Sequence, residues 1–323
     1  MIFPTSTSKL PLTRRRVLQT GAALALGGLA TARTAAAQTP VATDGLLIAA
    51  SMPILADIVQ NVAGTRSTVF SVMPDNADPH TWEASAQDIV AAIEADTFIS
   101  IGKHLEPFVE AGGWRRALAD ASIEEFAVAD HVEVIVIDKV IDHGDHVHDL
   151  REGDPHIWLD PLKVIEAIPA IRDHLAARDP DGATIYAEAA DAYLGELEVL
   201  HEELARDLAT IPEERRVLNV FHDAFTYFAE RYDFRVASIV IKHPEAGDVS
   251  AKEIAEIQQT IEETDVRVIF AEPQFNTDIL TIFVEEQGVV IGELLTDAFA
   301  DRVDTYLDLM RFDRDSLVTY LGA

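Results

Sequence analysis

The chain has 323 residues, 48% of them hydrophobic, with 25 lysines and arginines against 56 aspartates and glutamates and a formal charge of -31 at pH 7. That length is long for one domain and comfortable for two, while the charge argues against nucleic acid and anionic lipid as partners and makes a cation the natural guest. The absence of cysteine excludes disulfides, thiolate metal sites, cysteine nucleophiles and a lipid-modified cysteine anchor, so any metal must be held by imidazole and carboxylate.

Thr13-Arg14-Arg15-Arg16-Val17-Leu18-Gln19 has the pattern of a twin-arginine export signal. It is followed by a mild apolar run from Gly21 to Ala32 and small residues at Ala35-Ala36-Ala37, so residues 1–37 are expected to be removed before Gln38. The apolar run is short and rich in glycine and alanine, although an uncleaved signal would still tether the protein. Export by this route implies folding before translocation and an extracytoplasmic or periplasmic location.

From Gly45 onward, strand-like and helix-like stretches alternate, as in an α/β layer structure with a largely parallel sheet. Leu46–Ala50, Ser67–Met73, Thr97–Ile101 and Val132–Asp138 read as strands, and Pro53–Val62 and Ala84–Ala95 as helices. The loop from Pro74 to Glu83 is dense in turn-formers and places His80 where a strand hands over to a helix, the sheet edge where ligands collect. Asp142-His143-Gly144-Asp145-His146-Val147-His148-Asp149 is too polar to pack and reads as a mobile loop; His143, His146 and His148 could capture a divalent metal weakly, or simply be solvated.

Asp154-Pro155-His156-Ile157-Trp158-Leu159-Asp160-Pro161 presents a histidine on stiff backbone. Pro155 fixes its own φ and holds Asp154 extended, and Asp160 is placed to cap a helix that Pro161 starts. Alone, this could be a capped helix with an incidental histidine, but Asp78-Pro79-His80 repeats the device upstream. After a helix over Leu162–Ala177, a long helical pattern runs from Ala183 to Thr210, with apolar residues at three- and four-residue spacing. It is the candidate connection between two lobes: 45–180, then the helix within 181–211, then 212–323. The second half repeats the alternation, with strands at Val217–Phe221, Arg235–Ile241, Val266–Ala271 and Val289–Leu294. Its helices are read at Ala224–Arg231, Ser250–Glu263, Phe275–Gln287 and Val303–Leu321. His222 directly follows a strand, and Thr296-Asp297-Ala298 follows the last one.

Taken together, Ala77 through Glu83, Gly102 through Glu106, Asp154 through Pro161, His222-Asp223-Ala224-Phe225, Phe270-Ala271-Glu272-Pro273 and Thr296-Asp297 resemble the zinc and manganese solute-binding proteins of bacterial ABC importers, the cluster A-I family. The resemblance implies two α/β lobes with largely parallel sheets joined by one long α-helix, with metal bound in the interlobe cleft. By position it implies His80, His156, His222 and Asp297 as ligands, two from each lobe, so that the ion holds the lobes together for an ABC permease. Family members carry glutamate or histidine at the third ligand position, and histidine here favours Zn2+ over Mn2+. The chemistry agrees independently: three imidazoles and one carboxylate suit four-coordinate zinc, whereas manganese prefers more oxygen. Glu293, Asp301 and Asp304 are rival carboxylates near Asp297. Asp78, Asp154 and Glu272 are candidates to orient the histidines from behind, or else ordinary caps and turns.

The rival class is a zinc hydrolase. A catalytic zinc keeps a position open for water, which four protein ligands would close. The near-match His201-Glu202 has Ala205 where a zincin needs its second histidine. The expectation is therefore a binding protein and not an enzyme, working as a monomer. The alternatives within binding are a manganese-specific protein of the same type, or a periplasmic metallochaperone that hands zinc to another protein; a zinc-donating periplasmic protein is a further candidate partner beside the permease.

Overall fold

The computed structural model describes residues 44–110, 113–138, 140–142, 147–239, 251–274, 288–300 and 302–322. The export signal, the helix read over Phe275–Gln287, and His143 and His146 lie outside them.

Short apolar runs bounded by turn-formers pair into a first parallel sheet of β1 (Leu47–Ala50), β2 (Thr68–Ser71), β3 (Thr97–Ser100) and β4 (Glu125–Ala127), in the order β2-β1-β3-β4. Its helices are α1 (Pro53–Ala63), α2 (Ala86–Glu94), α3 (Pro107–Glu110) and α4 (Trp114–Ala121). An antiparallel pair, β5 (Val140–Asp142) and β6 (Val147–Asp149), precedes α5 (Pro161–Arg178) and α6 (Ala183–Leu208). The second parallel sheet holds β7 (Val217–Val220), β8 (Arg235–Ile239), β9 (Val268–Ala271) and β10 (Val290–Glu293), in the order β10-β9-β7-β8. It carries α7 (Thr226–Tyr232), α8 (Ala251–Thr264) and α9 (Tyr306–Leu321). Read from β8, the second sheet has the same strand order as the first. In both sheets the central strands are buried and the edge strands β2 and β10 are not, as expected where helices cover a parallel sheet.

Helix α6 is the common wall. Tyr186, Ala190, Tyr193, Leu197, Leu200, Leu204 and Leu208 recur at three- and four-residue spacing and are all buried. The helix packs on α1, α5 and α9.

Two readings of the sequence need correction. Val132–Asp138 is extended but joins neither parallel sheet, because Ile135 N–H donates to the Tyr227 hydroxyl and Ile135 C=O accepts from Asp154 N–H. The fourth strand of the first sheet is instead β4, whose three residues Glu-Phe-Ala carry no β-branched signal. The segment read as a loop from Asp142 to Asp149 has paired backbone at both ends, with His148 opposite Ile141.

The C-terminal ends of β1 and β3 are tied by a buried carboxylate. Glu106 accepts from Ser51 Oγ at 2.6 Å, Ile101 N at 2.8 Å and Gly102 N at 3.0 Å. Burial nevertheless outweighs these bonds and pushes its pKa up to about 7. A group whose folded pKa lies above its unfolded value stabilises fully below the unfolded value, and that contribution fades as pH rises through the folded one. Stability of the metal-free chain from this group is therefore expected to fall between pH 4.5 and about 7. Urea unfolding across that range should show the slope reduced in Glu106→Gln; an identical slope would remove Glu106 as its source.

Candidate metal centre

The first sheet delivers His80 on the loop that leaves β2. Asp78 shapes this loop by accepting from His80 N–H at 2.9 Å and from Thr81 Oγ1 at 3.0 Å, while its carbonyl takes Trp82 N–H at 2.9 Å. An aspartate bonding the amide two residues on is a local turn that the intervening proline stiffens. The same turn recurs at His156, where Asp154 Oδ1 accepts the His156 amide at 3.0 Å and also the ring Nδ1 at 2.8 Å. Gly153 is required just before it: its φ is +119°, and a Cβ there would lie 2.4 Å from Val134 Cγ2. Beyond His156, a 3-10 turn over Ile157–Leu159 leads to Asp160, which caps α5 through Leu162 N at 2.9 Å, with Pro161 at the first helical position.

In the second lobe, His222 lies two residues beyond β7 and its Nδ1 is 2.8 Å from Oε1 of Glu272, the residue after β9. Glu272 Oε2 in turn receives the Thr296 hydroxyl and, at 2.9 Å, Gln274 Nε2. Asp297 sits on the loop after β10, and three contacts hold that loop. Leu294 N–H reaches Ala271 O, Leu295 N–H reaches Asp313 Oδ1 at 2.8 Å, and Trp158 Nε1 donates to Thr296 O at 2.8 Å. Thus every one of these side chains comes from the strand-to-helix edge of its lobe or from the segment between them.

The four converge. His80, His156, His222 and Asp297 are all buried, and one potential ligand atom from each lies within 4.8 Å of the others. The Nε2 atoms of His80 and His156 are 3.3 Å apart, and Asp297 Oδ2 lies 3.2 Å from His222 Nε2 and 3.8 Å from His80 Nε2. Asp154 and Glu272 hold the Nδ1 atoms of His156 and His222 from behind, which leaves both Nε2 atoms on the side of the cluster. Neither Asp297 oxygen accepts a well-aligned hydrogen bond among the described residues, although the side chain is fully buried. A buried carboxylate with that environment fits a cation. Four donors, three of nitrogen and one of oxygen, at this spacing suit a first-row divalent ion.

The electrostatics are those of a cation site. Burial works against a charged His222, but the Glu272 and Asp297 carboxylates override it and hold the imidazolium well above the usual histidine range. Burial, followed by the charge on Asp297, raises Asp78 to about 6. Burial also pushes the Asp313 carboxyl, which accepts from Leu295 N–H, well above the ordinary carboxylate value.

The structure brings together the four residues marked in the sequence and sets Asp154 and Glu272 against two of the rings, while Asp78 bonds the backbone of His80. His148 lies on β6, while His143 and His146 fall outside the described residues. Of the rival carboxylates, Glu293 and Asp304 are not part of the cluster, and Asp301 is outside the described residues. Sequence reading missed Gln274, Asp313, Tyr227 and Arg231. Only Asp313 left a signal: it interrupts the stripe Leu309, Met310, Leu317 on the buried face of α9.

The chain is 33% identical over 288 residues to the manganese-binding lipoprotein MntA of Halalkalibacterium halodurans, covering 86% of this chain and 89% of that protein. It is 28% identical to the zinc-binding protein TroA of Treponema pallidum, covering 93% and 96% of the two chains. The structure of periplasmic zinc-binding TroA from Treponema pallidum superposes with a TM-score of 0.74, at 26% identity over 86% of this chain and 100% of that one. The model of the family ZnuA, zinc-uptake complex component A periplasmic, matches residues 48–320. The chain therefore belongs to this family of metal-binding substrate-binding proteins of ABC transporters, and its two parallel-sheet α/β lobes have the family's fold.

Proposed function

We propose that the protein is an extracytoplasmic zinc-binding protein that captures Zn2+ with His80, His156, His222 and Asp297 and delivers it to an ABC permease. The observation that carries this reading is the buried group of three imidazoles and one carboxylate within 4.8 Å. Such a donor set can fill a tetrahedral zinc shell, whereas manganese seeks more oxygen ligands. The metal is cargo, and the backing of His156 and His222 by Asp154 and Glu272 keeps their Nε2 atoms aimed at it. A manganese-specific protein is the second reading, favoured by the name of the MntA relative. A supplier of zinc from another periplasmic protein, with the histidine-rich loop receiving it, is compatible with the first.

Localisation follows the same logic. Several relatives are named lipoproteins, yet this sequence has no cysteine to carry a lipid, so export through the twin-arginine signal and release as an unanchored monomer is the reading adopted. Among the described residues no helix is long and apolar enough to cross a membrane.

The test is chelator competition on metal-free protein from Gln38 onward, with Zn2+ and Mn2+ in parallel. One tight zinc equivalent and far weaker manganese are expected; the reverse order would establish the manganese reading, and no tight site would overturn the ligand set. Because His222 is held protonated in the metal-free state, metal must displace its proton. Affinity is thus expected to rise with pH, and zinc to be released as pH falls through about 6, where imidazoles protonate. Retention of zinc at about pH 5 would contradict a site of three histidines.

A further inference from the structure

The division of the four ligands between the lobes does not follow chain order. By sequence, His80 and His156 belong to the first lobe. Yet residues 153–160 are buried without exception, and besides their local bonds the Asp154 and Trp158 carbonyls, the Trp158 indole and the Asp160 carboxylate are all bonded to the second lobe. The Tyr227 hydroxyl on α7 donates to Asp154 O at 2.7 Å and accepts from Ile135 N–H at 2.9 Å, while Asp154 N–H donates to Ile135 O at 2.8 Å. A second-lobe side chain thereby completes the pairing of the backbone that carries His156. One turn further along α7, Arg231 places Nη2 2.8 Å and Nε 2.9 Å from Asp160 Oδ2. Spacing of four residues puts Tyr227 and Arg231 on one face of α7, so they bracket His156 from either side. Between them, the Tyr306 hydroxyl donates to Trp158 O at 2.7 Å and Trp158 Nε1 donates to Thr296 O at 2.8 Å.

The loop that brings His80 is built differently. The Asp78 bonds described above close it on itself, and Trp82 packs edge-on against Phe108 of the first lobe, with ring centroids 4.9 Å apart. Pro74, Asp75, Asn76, Thr81 and Glu83 are exposed.

We propose that His156 is mechanically part of the second lobe, with Tyr227 as its positioning residue. His156, His222 and Asp297 then form a pre-assembled set of three, to which the first lobe adds His80. The inference rests on the reading that these four residues hold the metal. It changes what binding has to do: one ligand is brought to three, not two to two. A three-residue receptor also accepts the ion before the shell closes, since three donors already outcompete part of its water.

Hydrogen exchange on the full chain tests this, with and without Zn2+, for wild type and Tyr227→Phe. In wild type, amides of 154–160 are expected to be protected before metal is added, and zinc should slow exchange chiefly in 77–83. Tyr227→Phe keeps the ring and removes one hydroxyl. It is expected to release protection of 154–160 in the metal-free chain and to weaken zinc by about ten- to a hundred-fold, the range for partners that orient metal ligands. The visible absorption of the cobalt(II)-substituted variant, which reads ligand geometry and not stability, should change as well. Wild-type affinity and cobalt spectrum in Tyr227→Phe, or equal zinc protection of 154–160 and 77–83 in wild type, would overturn the assignment. If wild-type protein bound no zinc, the functional reading would fall, while metal-free exchange in the two proteins would still decide whether Tyr227 anchors this segment.

Discussion

Replacing His222 with alanine is expected to weaken zinc binding by roughly a hundred- to a thousand-fold, since structural zinc sites gain about 10–16 kcal/mol from four ligands and each tenfold is about 1.4 kcal/mol. His222 has the largest effect because it serves two charges. Its Nδ1 meets Glu272 and its Nε2 faces Asp297, and both carboxylates are buried. Without the ring, two negative groups remain against each other, and removal of one partner from a buried pair costs about 3–5 kcal/mol. The metal-free variant should therefore also unfold at lower denaturant. Zinc at a hundred times the wild-type Kd should stabilise wild type by about 2.7 kcal/mol and the variant by less than about 0.4 kcal/mol. Competition titration and thermal unfolding measure the two effects separately, and an unchanged Kd would sink the assignment of this ligand.

The second large effect is expected at Trp158, which lies directly behind the site. Its ring is buried, its centroid is 5.4 Å from that of His156, and its Nε1 holds the carbonyl of Thr296 beside Asp297. Trp158→Ala leaves a cavity, for which loss of a buried aromatic costs about 3–5 kcal/mol, and strands a buried carbonyl, which costs about 1–3 kcal/mol more. Trp158→Phe separates the two contributions, since it keeps most of the apolar volume and deletes only the donor. It should be milder in urea unfolding, yet still lose zinc affinity because the Thr296-Asp297 backbone is freed. Equal affinity of Trp158→Phe and wild type would show that this hydrogen bond does not set the position of Asp297.

Much of this site was legible because the residues that aim the ligands are their sequence neighbours. Asp-Pro-His encodes its own turn, so His80 and His156 could be marked from three letters each, and Asp160-Pro161 likewise announced the start of α5. The alternation of elements and the stripe on α6 were legible for the same reason: periodicity is local. What escaped was decided by tertiary contact. Residues 132–138 have the composition of a strand but spend their hydrogen bonds on Asp154 and the Tyr227 hydroxyl, whereas β4 has no strand composition and is made a strand by lying beside β3. Tyr227 and Arg231 look in sequence like any polar residues of an amphipathic helix. Their roles exist only because α7 faces the His156 segment.

The shared wall formed by α6 bears on how the molecule comes apart as well as on how it is held. Apolar side chains from Ile48 in the first sheet, through Leu197 and Leu200 of α6, to Phe228 and Leu321 in the second lobe belong to one continuous core. A core that does not divide at the cleft couples the two halves as one cooperative unit, although the first half also has a smaller cluster of its own around Phe98, Phe108 and Trp114. Wide separation of the halves would expose that interior to water at about 25 cal/mol for each Å². Discharge of the ion is therefore cheapest through excursions of the short surface segments around it, while the body of the molecule stays shut.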